Sequence, residues 1–144
     1  VKMNKISKNS EAAITLWVKA ASLTRKMDTS LASVHGIRFI EYIVLHHLMN
    51  APRNAMRRID LANEICRTAS GVTRMLSPME KIGLVEKANN PRDARVSLIK
   101  ITRAGDTIYQ DATKSLNERS DQIMTHFSEK QIEGFLTSFD HINI

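Results

Sequence analysis

A mostly α-helical fold with one small β-hairpin is predicted by three observations. Aromatic residues make up only 5% of the chain, and apolar residues recur at helical spacing over most of it. The exception is a pair of short apolar runs, Leu84 and Val85 then Val96, Leu98 and Ile99, separated by a polar tip. Just before that pair, residues 58–82 read as two helices joined by a tight turn. A helix-turn-helix followed by a hairpin has one common physical use, which is to set the second helix in a DNA major groove with the hairpin beside it.

At 144 residues the chain is one domain's worth and long enough to bury a working core. Its formal net charge is +6, but the distribution says more than the total. Residues 53–103 hold eleven basic and five acidic side chains, residues 1–52 seven and three, and residues 104–144 three and seven. A basic middle on an acidic C-terminal support is the pattern of a DNA-facing module. The single cysteine, Cys66, rules out an internal disulfide and fits a reducing compartment. No apolar run approaches the roughly 20 residues that span a bilayer, and Lys2, Lys5 and Lys8 interrupt any signal-peptide core. The expectation is a soluble cytoplasmic protein with no membrane partner.

In chain order, residues 1–9 form a polar, basic arm, and Ser7 or Ser10 caps a helix reaching about Lys26. Ile14, Trp17, Val18, Ala21 and Leu23 give that helix an apolar stripe. Residues 28–36 read as a connection. A second helix, about 38–49, is apolar on most sides and is the candidate central element, ended by Asn50, Ala51 and Pro52. Residues 58–65 form the first helix of the pair, burying Ile59, Leu61, Ala62 and Ile65. Arg57 and Arg58 at its start oppose the helix dipole, and would suit a phosphate placed there.

Thr68 is the N-cap of the second helix, with Ser70, Gly71, Thr73, Arg74 and Ser77 as polar positions and Val72, Met75, Leu76 and Met79 as buried ones. Short hydroxyl side chains and one Arg let a helix backbone approach base edges closely. Pro78 predicts a kink over residues 74–78. Gly83 closes the helix, and the hairpin tip, residues 89–95, carries Arg92 and Arg95. An Arg on such a tip can reach an adjacent minor groove, and Asp93 can hold Arg95 by a charge-assisted bond, although a solvated loop salt bridge fits the same residues. Thr102 caps a long helix to about Phe127, with Ile108, Ala112, Leu116, Ile123 and Phe127 on one face. Ser128 and Gln131 form a capping box for a last helix presenting Ile132, Phe135, Leu136, Phe139 and Ile142. These stripes serve a dimer interface or a monomer's core equally well.

Residues 61–105 resemble the MarR family of winged helix-turn-helix regulators. The resemblance is carried by Leu61-Ala62, Val72-Thr73-Arg74, the run from Glu80 through Lys81, Ile82, Gly83 and Leu84 to Val85, Asp93 with Arg95, and Ile101-Thr102 with Gly105. It departs from the family pattern at Pro78, at Arg38 and Arg57 where a capping Ser or Thr is usual, and at Ile101 in place of leucine. The resemblance implies a homodimer of one compact domain per chain. Its parts are an N-terminal arm and dimerisation helix (1–35), a winged helix-turn-helix module (36–102) and C-terminal dimerisation helices (103–144). It also implies a pseudo-palindromic double-stranded DNA site, the recognition helix of about 69–82 in the major groove, the wing tip 89–95 at the minor groove, and repression released by a small amphipathic or phenolic effector. The candidate DNA-contact set is Arg57, Thr68, Ser70, Thr73, Arg74, Ser77, Arg92, Asp93 and Arg95. By fold analogy, Trp17, Phe39 and Tyr42 line an effector cleft.

Other chemistry has little support. Cys66 at the apolar end of a helix reads as an inert packed thiol. His46 and His47 are adjacent, so their side chains point about 100° apart and do not easily share an ion; no metal and no cofactor are expected. No Gly-rich phosphate loop, HExxH or nucleophile elbow is present, so an enzyme is not expected. The alternative of another class is a winged-helix interaction or dimerisation module that does not bind DNA. The excess of arginine in the helix pair and tip favours DNA, because a protein-binding face exposes more apolar surface.

Overall fold

A computed structural model describes residues 3–144; the first two residues of the expected arm lie outside the described residues. The first helix, α1, spans Lys8–His35, with the Ser7 hydroxyl accepting from the Ser10 N–H at 3.1 Å. It ends at Gly36, whose φ of 69° is the left-handed conformation that glycine adopts at no steric cost. The expected end near Lys26, with a connection after it, is corrected. No Gly or Pro stands between residues 27 and 35, and Met27 and Leu31, four residues apart, are both buried. Asp28, read as part of that connection, instead accepts the Phe39 N–H at 2.7 Å.

That contact begins α2, Phe39–Asn50, and Glu41 adds a second by accepting the Arg38 N–H at 2.8 Å. Carboxylates from elsewhere thus do the work that the Arg38 side chain, a donor only, cannot. α2 is the central element, burying Tyr42, Val44, Leu45 and Leu48. A single 3-10 turn, Pro52–Asn54, follows and leads into β1, Ala55–Arg57. This strand was not foreseen, because three residues are too few to display alternation. It pairs antiparallel with the hairpin, giving a three-stranded sheet of order β1-β3-β2.

α3 is Arg58–Glu64, and it buries Leu61 and Ala62 with Ile65 just past its end. Ile59 was expected inside and is 50% exposed; two residues from Leu61, it lies about 200° round the helix. Cys66 was expected to be packed, and it is exposed. It holds the left-handed position of a Schellman turn, φ 52°, where Cys66 N–H reaches the Asn63 carbonyl at 3.2 Å and Arg67 N–H the Ala62 carbonyl at 2.9 Å.

α4, Ala69–Lys81, is capped by Thr68 Oγ1, which accepts the Gly71 N–H at 3.1 Å. It runs through Pro78 without a break. The expected kink does not interrupt the helix, because the lost bond frees only the carbonyl of Arg74, an exposed residue that water can serve. Gly83, φ 78°, ends the helix with the same Schellman pattern as α3, Leu84 N–H meeting the Met79 carbonyl at 2.9 Å. The hairpin is longer than its apolar runs: β2 is Val85–Asn89 and β3 is Ser97–Ile101, in register from Val85↔Ile101 to Asn89↔Ser97. Val96 falls in the tip rather than in β3.

α5 spans Arg103–Ile123 under a Thr102 cap, ending before the expected Phe127, and residues 124–127 turn into α6, Glu129–Asp140. Both capping-box bonds between Ser128 and Gln131 form, at 3.2 and 2.9 Å. Leu31, Leu45, Leu48, Leu61, Leu76, Met79 and Ile99 form a core joining α1, α2, the helix pair and the sheet. α5 closes it through Ala112, with His35 bonded to Ser115 at 2.8 Å and Tyr42 to Thr113 at 2.9 Å. Among the described residues no helix is long and apolar enough to cross a membrane.

The start of α5 is pressed against the start of the wing. A Cβ added at Gly105 would collide with the Leu84 carbonyl oxygen and come within 2.8 Å of Ile101 Cγ1. Backbone atoms cannot yield as a flexible side chain does, so Gly105→Ala should destabilise the fold by about 1–3 kcal/mol. Calorimetry should show a melting temperature several degrees below that of the parent; an unchanged value would refute the close approach.

Candidate nucleic-acid interface

On α4 the candidate residues share one face. Ser70, Thr73, Arg74 and Ser77, spaced i, i+3, i+4 and i+7, are all exposed, while Val72, Leu76 and Met79 are buried behind them. Thr68 is exposed at the helix start, but its hydroxyl oxygen is committed to the cap. Thr73 Oγ1 donates to the Ala69 carbonyl at 3.1 Å, which leaves its lone pairs as acceptors. Arg74 forms no ion pair among the described residues. The face therefore offers short polar groups and one unengaged guanidinium.

The wing tip is built by two local turns. Asn90 Oδ1 accepts the Arg92 N–H at 2.9 Å, and Asp93 Oδ1 accepts the Arg95 N–H at 3.0 Å. Asp93 also takes Arg95 Nε–H at 3.2 Å and Nη2–H at 3.5 Å, yet the Arg95 side chain stays 91% exposed. One carboxylate thus sets both the backbone and the direction of the guanidinium. These bonds hold the Asp93 carboxyl below the ordinary carboxylate range, with the Arg95 side chain the largest cause and its backbone N–H the next.

The two arginines at the start of α3 are not the open phosphate receptor expected there. Arg57 is exposed but gives Nε–H and Nη2–H to Asp60 at 2.7 and 2.8 Å, which lowers the Asp60 pKa. Arg58 turns inward to Glu80, at 2.9 Å. Sequence reasoning passed over Arg67, an exposed cation one residue before the Thr68 cap. It was visible only as one unit of the charge count.

The proposed effector trio is gathered in part. Phe39 and Tyr42 stack at 6.4 Å between ring centres, and Tyr42 stacks on Tyr109 at 5.3 Å. Trp17 is 73% exposed on α1 and is not among these ring neighbours. The residues that reasoning missed are Tyr109 and His46, whose Nδ1 lies 3.0 Å from the Tyr109 hydroxyl. Burial raises the Tyr42 pKa and lowers that of His46, to which His47 adds. The His46 and His47 rings sit at 75° to one another, and among the described residues no three His, Cys, Asp or Glu side chains converge on a common point.

A concavity of about 710 Å³ lies between α1, the end of α5 and α6. It is lined by Leu16, Leu23, Ile123, Phe127, Phe135 and Phe139, among others.

A helix-turn-helix flanked by a three-stranded wing defines this chain as a winged-helix protein. The MarR family model matches residues 41–97, from the first turn of α2 to the first residue of β3. A curated relative, the HTH-type transcriptional regulator FarR of Neisseria gonorrhoeae, is 34% identical over 64 residues. That match covers 44% of this chain and 44% of the relative's own length. Among solved structures, the transcriptional regulator BldR of Sulfolobus solfataricus superposes with a TM-score of 0.82 at 18% identity, covering 97% of this chain and all of that one. Sco3205 of Streptomyces coelicolor, a MarR family transcriptional regulator solved in complex with DNA, gives 0.80 at 19% identity over 96% of this chain and 88% of that one. A MarR/EmrR family transcriptional regulator of Acinetobacter sp. ADP1 gives 0.82 at 20% identity over 94% of each chain.

Because its bond to Arg95 favours the ionised form, the Asp93 contact is at full strength above the ordinary aspartate pKa. It is lost as the pH falls through the lowered value. A carboxyl-carbon NMR titration should place the Asp93 midpoint below that of an unpaired aspartate, and Arg95→Ala should return it upward. Equal midpoints in the two proteins would mean that the pair does not form in solution.

Proposed function

We propose that the chain is a sequence-specific double-stranded DNA-binding transcriptional regulator that works as a homodimer on a pseudo-palindromic site. The observation that carries this reading is the pairing of an exposed hydroxyl-rich face on α4 with an arginine held outward at the wing tip. The α4 face fits a major groove, where Ser70, Thr73, Arg74 and Ser77 meet base edges and phosphates. Arg95, oriented by Asp93, fits the neighbouring minor groove, and Arg92 its phosphates. The family match and the DNA-bound state of Sco3205 support this use of the fold.

The dimer reading rests on α6. This helix buries none of its residues within the chain, yet carries Phe135, Leu136 and Phe139, and with Phe127 it lines the apolar groove against α1. Leu136 is 60% exposed. A second copy of the same helices covers that surface and sets two α4 helices on successive turns of a duplex. Repression relieved by a small phenolic or amphipathic effector completes the proposal, the Phe39, Tyr42 and Tyr109 stack being its candidate contact.

Affinity for duplex DNA from the chain's own upstream region should fall about 10³-fold or more between about 50 and 200 mM salt. Arg74→Ala should cost about 1–3 kcal/mol concentrated at one base pair if it reads a guanine, and the same loss spread over all sequences would make it a phosphate contact. Arg95→Ala should weaken binding to every sequence and flatten the contrast between A·T-rich and G·C-rich flanks. Salt-insensitive or absent binding to any duplex would instead favour an interaction module. In sedimentation equilibrium the chain should run at twice its 16.3 kDa mass, and Phe135→Asp should shift it toward the monomer. A parent that stays monomeric would refute the pairing.

A further inference from the structure

We propose that Arg58 is a positioning residue for the DNA reader, its one guanidinium tying the recognition helix and the wing to α3. This role rests on the DNA-binding reading above. Arg58 Nη2 donates to Glu80 Oε1 at 2.9 Å, and Nη1 to Ser97 Oγ at 3.4 Å. Glu80 belongs to the last turn of α4 and Ser97 opens β3, so a single planar fork spans three elements. Every other ion pair among the described residues joins side chains no more than three positions apart. Arg58 and Glu80 are 22 positions apart, and their side chains are only 24% and 27% exposed.

The pair is a poor device for stability alone. Withdrawing both charges from water costs much of what their attraction returns, and Arg58 Nε is buried with no partner. What the fork supplies is direction. Glu80 stands three residues beyond Ser77 on α4, and Ser97 stands two beyond Arg95 on the returning strand. The fork therefore joins the end of α4, three residues past the face proposed for the major groove, to the strand that leads back from the arginine proposed for the minor groove. Its bonds include none to Ser77 or Arg95. Loosening it lets the two contacts drift from the spacing that one duplex offers. Attraction to phosphates, which depends on charge and not on register, survives.

The test uses a duplex that the wild-type protein selects from a random-sequence pool, with a scrambled duplex of equal length beside it. Arg58→Lys keeps the charge and loses the fork, Glu80→Gln keeps the shape and loses the charge, and the exchange Arg58→Glu with Glu80→Arg restores the pair in reverse. Each single variant should bind the selected duplex about 10-fold more weakly while holding the scrambled duplex within about 2-fold. Each should also lose contrast between A·T-rich and G·C-rich flanks at the wing, and the exchange should recover part of both. A structural role alone would lower the melting temperature and weaken both duplexes together, which would overturn the proposal. A folded Arg58→Lys or Glu80→Gln protein with the wild-type ratio and flank contrast would overturn it as well, leaving DNA binding intact. If the wild type enriches no duplex, the DNA-binding reading fails first and the positioning role with it.

Discussion

Two peptide units, those of Gly83 and Leu84, hold the reader together. The Leu84 N–H closes the end of α4 on the Met79 carbonyl, and the Leu84 carbonyl accepts the Thr102 N–H at 3.1 Å. The Gly83 carbonyl accepts the Thr102 hydroxyl, and the same threonine caps α5 through the Gly105 N–H at 3.0 Å. One residue on, Val85 pairs with Ile101 to start the ladder. The end of the recognition helix, both legs of the wing and the start of α5 are thus fixed to one another by backbone groups that would be costly to bury unpaired. Only a glycine at position 105 lets the helix come close enough. Residues on the tip and on α4 take part of their placement from this junction, with the Arg58 fork as a second link between the same elements.

Local chemistry makes much of this legible in the sequence. Thr68, Thr102 and the Ser128–Gln131 box are caps whose partners lie three residues away, and Gly83 is a left-handed stop. What escapes is whatever depends on distant chain. β1 is a strand only because β3 lies beside it. The last turns of α1 are held by the burial of Met27 and Leu31, and the conformation of Cys66 is imposed by the helix end it terminates. The site divides in the same way. The exposed face of α4 follows from period alone, whereas Arg57 and Arg58 look alike in sequence, and only the position of Glu80, 22 residues away, turns one inward. Tyr109 joins Phe39 and Tyr42 across a similar gap, so no local pattern announces it.

The basic middle of the chain is accordingly not uniform. Arg57, Arg58 and Arg95 are engaged by Asp60, Glu80 and Asp93, while Arg67, Arg74 and Arg92 form no ion pair among the described residues. On the proposed duplex, Arg67 and Arg92 would supply attraction that any sequence satisfies, since phosphate is the same everywhere, while Arg74 stands on the face proposed to meet base edges. The engaged ones have surrendered part of their charge in return for a defined direction. Arg95 keeps an exposed guanidinium in a direction already chosen, so little rotational freedom remains to be lost when it meets a groove. Paired and free arginines thus present different surfaces to the proposed duplex, a difference that total charge alone conceals.

α5 carries this order outward. Its first turn is bound to the Gly83–Leu84 junction, and its last residue, Ile123, lines the groove shared with α1 and α6. Twenty-one residues of helix make a strut of about 30 Å between the reader and the proposed pairing surface. Midway along it, Tyr109 and Thr113 meet His46 and Tyr42 of α2 through ring contacts and hydroxyl bonds. In the proposed dimer the strut would carry the pairing geometry to the recognition helix. A ligand at the tyrosine stack, as proposed, would touch the strut between its two anchored ends. For the proposed effector, such a strut offers a route from the tyrosine stack to the DNA reader that needs no direct contact between them.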